Sequence, residues 1–447
     1  MSTLASSNLS LSAKARRTHE QPISYLISEA LRNPRLINLA AGLVDPLTLP
    51  VAECEAITRR LFADPDRARR ALQYDTTLGL GPLREATLRH MESLEGMSAS
   101  AMGLDADHIV VTTGSQQALY LVADALVDPG DIVVAANPSY FVFTGTLSSL
   151  AANVLTVPMD DDGMDVEAVE RVLAQLQKEG RLSKVKLVYC TSYYQNPTGL
   201  TLSAERRPRL LEIVRRYSDL AGHRILILED AAYRELCYDG PSHRSIKSYD
   251  PDNLYTIISH TFSKPFAPGI KLGYSAMPND LLHAILQQKG NHDFGSANLT
   301  QYIALETLTD GSYQRHVAEL RQAYGAKRDA MLAALERAMP KAPGLSWTKG
   351  HGGLYAWITL PEHIDTSRGS AFFADCIKHG VLYVPGVYCF QPDPHTGRTP
   401  TNHLRLSFGQ VAPDQIEPGI QRLATVVREH LAPQKSPPRQ TATALNR

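Results

Sequence analysis

From about residue 105 onward, short β-rich runs alternate with segments whose apolar positions recur every three or four residues. The run IVVTT (109–113) is followed by GSQQALYLVADALV, where Leu119, Val122 and Leu126 fall on one helical face. DPGD then breaks the chain before IVVAA (132–136). Further strands are predicted at VKLVYCTS (185–192), RILILED (224–230), LYTIIS (254–259) and KLGYSAM (271–277). Continuous apolar runs separated by helices predict an α/β fold with a mostly parallel central sheet covered on both faces. No internal repeat interrupts the pattern.

After about residue 310 the pattern changes. A long helical stretch (313–338) leads to LSWTK, GLYAWITL, GVLYVPG and NHLRLSFG, and a last helix carries Ile416, Ile420, Leu423 and Val427 in register. This predicts a smaller α+β domain. The expected layout is a flexible arm over 1–21, a segment over 22–64 packing with the small domain, a large domain over 65–312 and a small one over 313–432. The Pro-rich polar tail (433–447) is expected to be disordered.

Composition narrows the function. The 447 residues are 43% hydrophobic, enough for a large core. Lys plus Arg number 45 against 46 acids, so no net field recruits nucleic acid or a membrane surface. No run approaches the ~18 apolar residues that span a bilayer. Five scattered cysteines without a C-x-x-C pair point to reduced, buried thiols in a cytosol-like compartment, with no metal site. The first 19 residues, MSTLASSNLSLSAKARRTH, contain Ser, Ala and basic residues but no acidic one, a weakly transit-like composition, yet no apolar face develops. A cytoplasmic protein is expected.

In open α/β sheets, ligands bind beyond the carboxyl ends of strands. TTGSQQ lies at such an end and opens a helix, so amides near Gly114, Ser115 and Gln116 are placed to hold an anion; a plain helix-capping turn reads the same way. Asp230 ends RILILED, and strand alternation turns Glu229 to the opposite face. A structural ion pair is the alternative for Asp230. Lys264, in HTFSKPFAPGIKLGY, follows a buried strand, and confinement would free its amine as a nucleophile; Lys271 would then hold an anion as a point charge. Singly, each lysine reads more simply as an exposed, solvated side chain. Together, an anion-binding helix end, a strand-end carboxylate and a lysine beside the hydroxyls of Thr261 and Ser263 suit pyridoxal 5′-phosphate (PLP), which needs a phosphate cradle, an anion at its ring nitrogen and an amine for its aldehyde.

With these residues in place, the chain resembles fold-type I PLP enzymes of aminotransferase class I/II, nearest the aminoadipate/kynurenine aminotransferase-like branch. The resemblance runs from INLAAGLVDPLTLP (37–50) to the last helix, with QYDTTLGLGPLRE, TTGSQQAL, NPSYF, YYQNPTG, ILEDAAYREL, HTFSKPFAPGIKLGY, GGLYAW, VPGVYCF and NHLRLSFG in family order. It implies that Lys264 forms an aldimine with PLP, Asp230 holds the ring nitrogen protonated, and Asn196 and Tyr233 bond the phenolic oxygen. Tyr140 would stack on the ring. Ser115, Gln116, Thr261, Ser263 and Lys271 would line the phosphate, joined by Tyr74 from the neighbouring subunit of a homodimer. Arg405 would clamp the substrate α-carboxylate, with Asn196 and the backbone of Gly42 beside it. One departure is visible: the family commonly has arginine where Lys271 stands, and lysine keeps the charge but loses the planar fork.

The implied activity is ping-pong transfer of an amino group between an L-amino acid and a 2-oxo acid. Two rivals share the motifs: a PLP lyase, cyclase or amino-acid oxidase/hydroxylase on the same scaffold, and a PLP-sensing regulatory module. The latter would need a DNA-binding domain, for which about 36 residues before INLAAG are too few. No second arginine marks a dicarboxylate substrate, and Tyr355 and Tyr388 suggest a partly aromatic pocket.

Overall fold

The computed structural model describes residues 9–393 and 396–432. Its main sheet has seven strands, ordered Asn153–Val157, Ile132–Ala136, Val185–Thr191, Leu226–Asp230, Thr256–Thr261, Gly273–Ala276 and Ile109–Thr112. The first five run parallel, while Gly273–Ala276 is antiparallel to both its neighbours. Strand alternation divides the core. Val134, Val188 and Ile227 face the helices Val166–Lys178 and Arg206–Ala221, whereas Val133, Leu187 and Leu228 face Gly114–Leu126 and Asn279–His292. Each such side chain, fully buried, contributes about 1.5–3 kcal/mol. The strand Asn153–Val157 escapes the sequence pattern because it is an edge strand, exposed at its start and half-buried through its middle.

A second, antiparallel sheet orders Ser346–Trp347, Tyr355–Thr359, His403–Ser407 and Val384–Pro385, with Ser312–Ala338 and Pro413–Leu431 among its helices. The N-terminal segment divides between the two bodies. Ile37–Asn38 pairs in parallel with Val381–Leu382, and Ser407 N donates to Leu39 O at 2.7 Å. The helix Val51–Ala63 instead lies against Asn298–Thr309, and Arg60 reaches Asp310 at 3.0 Å.

The expected flexible arm differs in its described part. Ala13–Arg17 is a short helix, and Lys14 Nζ donates to Tyr120 Oη at 2.6 Å and Asp124 Oδ1 at 2.7 Å. Lys14 thus finds its partners on the helix Gly114–Leu126, while Arg17 Nε donates to Ser149 O at 3.2 Å. Residues 1–8 and the tail 433–447 lie outside the described residues. Among the described residues, no helix is long and apolar enough to cross a membrane, and no cluster of side chains is built to hold a metal ion.

Candidate active site

The parallel strands end along one edge of the main sheet. Thr191 is in register with Asp230, and Gly273 sits between Thr112 and Thr261. A cavity of about 290 Å³ opens above that edge. Gly114, Ser115 and Gln116 line one end of it, together with Thr261, Ser263 and Lys271. The helix Gly114–Leu126 has no side-chain cap at its N-terminus, which leaves its first amides and its positive end to an anion. Gly273 makes this end tight: a Cβ there would come within 2.6 Å of His260 O and 2.8 Å of Ser115 N. Lys271 lines the cavity from a left-handed turn, with φ 49°.

Asp230 lines the same cavity. It accepts from Tyr189 Oη at 3.0 Å and Ala232 N at 3.2 Å, both neutral donors. Burial pushes its carboxyl up to about 6, against the pull of these two hydrogen bonds. Glu229 points the other way, as alternation predicts, accepting from Ser192 Oγ at 2.6 Å beside Arg207 at 3.4 Å. Lys264 Nζ donates to Gly42 O at 2.9 Å and stands 5.8 Å from the centre of the Tyr233 ring.

A smaller cavity of about 160 Å³ adjoins the first and shares Leu43, Tyr140, Asn196, Tyr233 and Lys264 with it. Gly42 and Arg405 line it. Arg405, almost wholly buried, donates to Asn196 Oδ1 at 2.7 Å and Ala40 O at 3.0 Å, and its Nε has no partner. Both acceptors are neutral, so a buried cation here awaits an anion. Because guanidinium only donates, the Asn196 oxygen faces Arg405 and its NH₂ is turned elsewhere.

Of the cofactor and substrate residues implied by the resemblance, the two cavities bring together all but Tyr74. Tyr74 is 79% exposed and meets Phe294 edge-on, with ring centres 5.5 Å apart. Tyr355 lines the smaller cavity, whereas Tyr388 lines neither. Sequence reasoning missed Tyr189 and Thr191. Their signal was present in VKLVYCTS, whose last residues end a strand paired with RILILED.

The family model for aminotransferase class I and II matches residues 34–423. The chain belongs to that family. A relative in Thermococcus litoralis, aromatic-amino-acid aminotransferase 1, is 36% identical over 396 residues, covering 89% of each chain. The crystal structure of Pyrococcus horikoshii kynurenine aminotransferase in complex with PMP superposes with a TM-score of 0.85 at 34% identity, covering 94% of this chain and 97% of that one. The α-aminoadipate aminotransferase of Thermus thermophilus, solved with N-(5′-phosphopyridoxyl)-L-leucine, gives 0.79 at 27% identity, covering 94% and 98%. This aminotransferase is a fold-type I enzyme that uses PLP and transfers amino groups between amino acids and 2-oxo acids. The site fits that cofactor. An uncapped helix end flanked by hydroxyls and a lysine suits a phosphate, and a buried carboxylate held only by neutral donors suits a protonated ring nitrogen.

Proposed function

We propose that this aminotransferase acts on amino acids with neutral, apolar or aromatic side chains, held by Arg405 through the α-carboxylate. The observation that carries this reading is the buried Arg405, bonded to two neutral acceptors with Nε free, across a small cavity from Lys264. The rest of that cavity is walled by Ile23, Leu43, Phe141, Val142 and Tyr355, which offer no charge to a substrate side chain. Burying a second carboxylate among them without a partner would cost several kcal/mol (roughly 2–7 for even a neutral polar group).

PLP, when bound, supplies an aldehyde that takes up the amino group and a protonated ring that stores the electrons of the Cα–H bond. The remaining work falls to the chain. Lys264 carries the cofactor, and once the amino donor has freed its Nζ, that nitrogen holds and moves the proton taken from substrate Cα. Asp230 keeps the ring nitrogen protonated, while Asn196 NH₂ and Tyr233 Oη donate to the phenolic oxygen. Tyr140 covers the ring. The amides of Gly114, Ser115 and Gln116, with Thr261, Ser263 and Lys271, hold the phosphate. Gly42 O restrains Lys264 and helps frame the substrate. The working unit is a homodimer in which Tyr74 of each subunit completes its neighbour's phosphate site, and the domain limits are those of the sequence reading, 65–312 and 313–432.

Single-turnover mixing of the PLP-loaded enzyme with one amino acid tests the substrate class. Phenylalanine and leucine are expected to convert the cofactor to its amine form and yield the matching 2-oxo acid at least tenfold more efficiently than aspartate. A preference for aspartate would overturn the reading and place a second cation in the site.

A further inference from the structure

Tyr355 stands where three parts of the site meet. Its hydroxyl lies 2.9 Å from that of Tyr233, with the two rings edge-on and their centres 5.6 Å apart. The Arg405 guanidinium sits 4.3 Å from the centre of the Tyr355 ring. On its other side the same hydroxyl presses on the backbone that restrains Lys264: a Cβ on Gly42 would come within 2.5 Å of it. The strand register fixes this arrangement, since Trp357, two residues along, pairs with Arg405 across the small sheet. The Tyr355 ring is buried, and Tyr233 is the hydrogen-bond partner its hydroxyl finds.

Two facing phenols share their bond one way at a time, because each has a single proton. If Tyr233 gives its proton to an anion in the larger cavity, its oxygen is left to accept from Tyr355. A cation on the face of the Tyr355 ring draws electron density from it and makes its hydroxyl the better donor. Hydrogen bonds in series strengthen one another.

We infer that Tyr355 is a positioning residue for transamination: its hydroxyl donates to Tyr233, turns the Tyr233 proton toward the cofactor's phenolic oxygen, and ties that bond to the carboxylate clamp through Arg405. The inference rests on the assignment of Tyr233 to that oxygen. Tyr355→Phe tests it, since phenylalanine keeps the ring beneath Arg405 and removes the hydroxyl alone. In the loaded enzyme, a proton shared between the Lys264 nitrogen and the phenolic oxygen governs the visible spectrum. A weaker donor at Tyr233 leaves that oxygen more negative, so the proton is held more tightly and the spectral transition moves to higher pH. The expected shift in Tyr355→Phe is about 0.5–1 pH unit, the equivalent of one hydrogen bond. Titration of the cofactor-free protein with PLP should show affinity about three- to tenfold weaker. Its melting temperature should stay close to that of the parent. In a Tyr233→Phe background, Tyr355→Phe should add no further spectral shift. A wild-type transition in Tyr355→Phe, or the same shift in both backgrounds, overturns the inference. If Tyr233→Phe alone leaves the transition in place, the Tyr233 assignment falls, and this inference with it.

Discussion

Asp230 faces opposite demands with and without cofactor. In the free protein its carboxyl is raised from 3.8 to about 6 by burial, with only Tyr189 and the Ala232 amide to offset it. Its contribution to stability is therefore fully present below pH 4 and lost as pH rises through about 6. A shift of this size corresponds to about 3 kcal/mol at neutral pH. Asp230→Asn should accordingly raise the melting temperature of the cofactor-free protein at pH 8 and leave it nearly unchanged near pH 4. The same change should cut turnover by on the order of a hundredfold or more, because the ring nitrogen loses the anion that keeps it protonated. Calorimetry at the two pH values, beside steady-state kinetics, checks both halves. The roles proposed for Arg405 and Lys271 separate under substitution. Arg405→Lys removes a charged, fork-shaped contact worth about 1.5–3 kcal/mol, so kcat/KM for amino acids should fall at least about tenfold while PLP affinity holds. Lys271→Ala should loosen PLP and spare substrate saturation once cofactor is in excess. PLP titration with single-turnover kinetics separates the two. If Lys271→Ala bound PLP normally and lost one class of substrate, this lysine would read the substrate instead.

At the level of elements, the end of the cavity proposed for the phosphate depends on how closely three backbones approach. Gly273 stands between the strand ends at Thr112 and Thr261, beneath the first turn of the helix Gly114–Leu126. Its missing side chain leaves room that backbone atoms would otherwise dispute, since an added Cβ would meet His260 O, Ser115 N and Gly114 C at 2.6, 2.8 and 2.9 Å. None of these belongs to a side chain that can turn away. Gly273→Ala should therefore lower PLP affinity at least tenfold and destabilise the protein by about 1–3 kcal/mol, as overpacking does. Equilibrium PLP binding and urea unfolding measure the two effects, and a fully occupied, unshifted variant would show that the helix end does not hold the phosphate. This scale also explains what the sequence disclosed. The positions of Lys264, Asp230 and the TTGSQQ turn around one cavity were legible because strand ends can be read from local pattern, and alternation alone turned Glu229 to the opposite face. The strand Asn153–Val157 was not legible, because an edge strand lacks the continuous apolar run of its buried neighbours. The bonds from Tyr189 to Asp230 and from Tyr355 to Tyr233 join residues 41 and 122 positions apart. Such contacts are set by sheet order and register, which no local pattern contains.

Across the whole molecule, the two bodies meet at Arg405. Arg405 belongs to the small sheet, Asn196 follows a strand of the large one, and Ala40 comes from the N-terminal segment; one guanidinium bonds both of the latter. One side of the molecule carries Tyr74, which lines neither cavity and is proposed to serve a neighbouring subunit. Tyr74 and Phe294 pack edge-on while remaining 79% and 60% exposed, and Leu72, two residues before Tyr74, is 66% exposed. Large apolar side chains gathered in the open mark an interaction surface. A second copy of the chain is the occupant we propose, since the homodimer proposed above would also give Tyr74 a phosphate to reach. Phe294→Asp places a charge in that surface without touching either cavity, and its exposure leaves the fold of the single chain little affected. Sedimentation should find the parent protein as a dimer and the variant shifted toward monomer, with unchanged circular dichroism. If Tyr74 crosses to the neighbour's phosphate, PLP affinity of the variant should fall at least about tenfold, one charge-assisted hydrogen bond, and recover partly as protein concentration restores the dimer. Tyr74→Phe should weaken PLP binding to a similar degree while remaining dimeric, because it removes the hydroxyl and keeps the ring against Phe294. A monomeric Phe294→Asp protein that binds PLP as tightly as the parent would rule out Tyr74 as a shared ligand and leave each subunit's phosphate site to its own helix end.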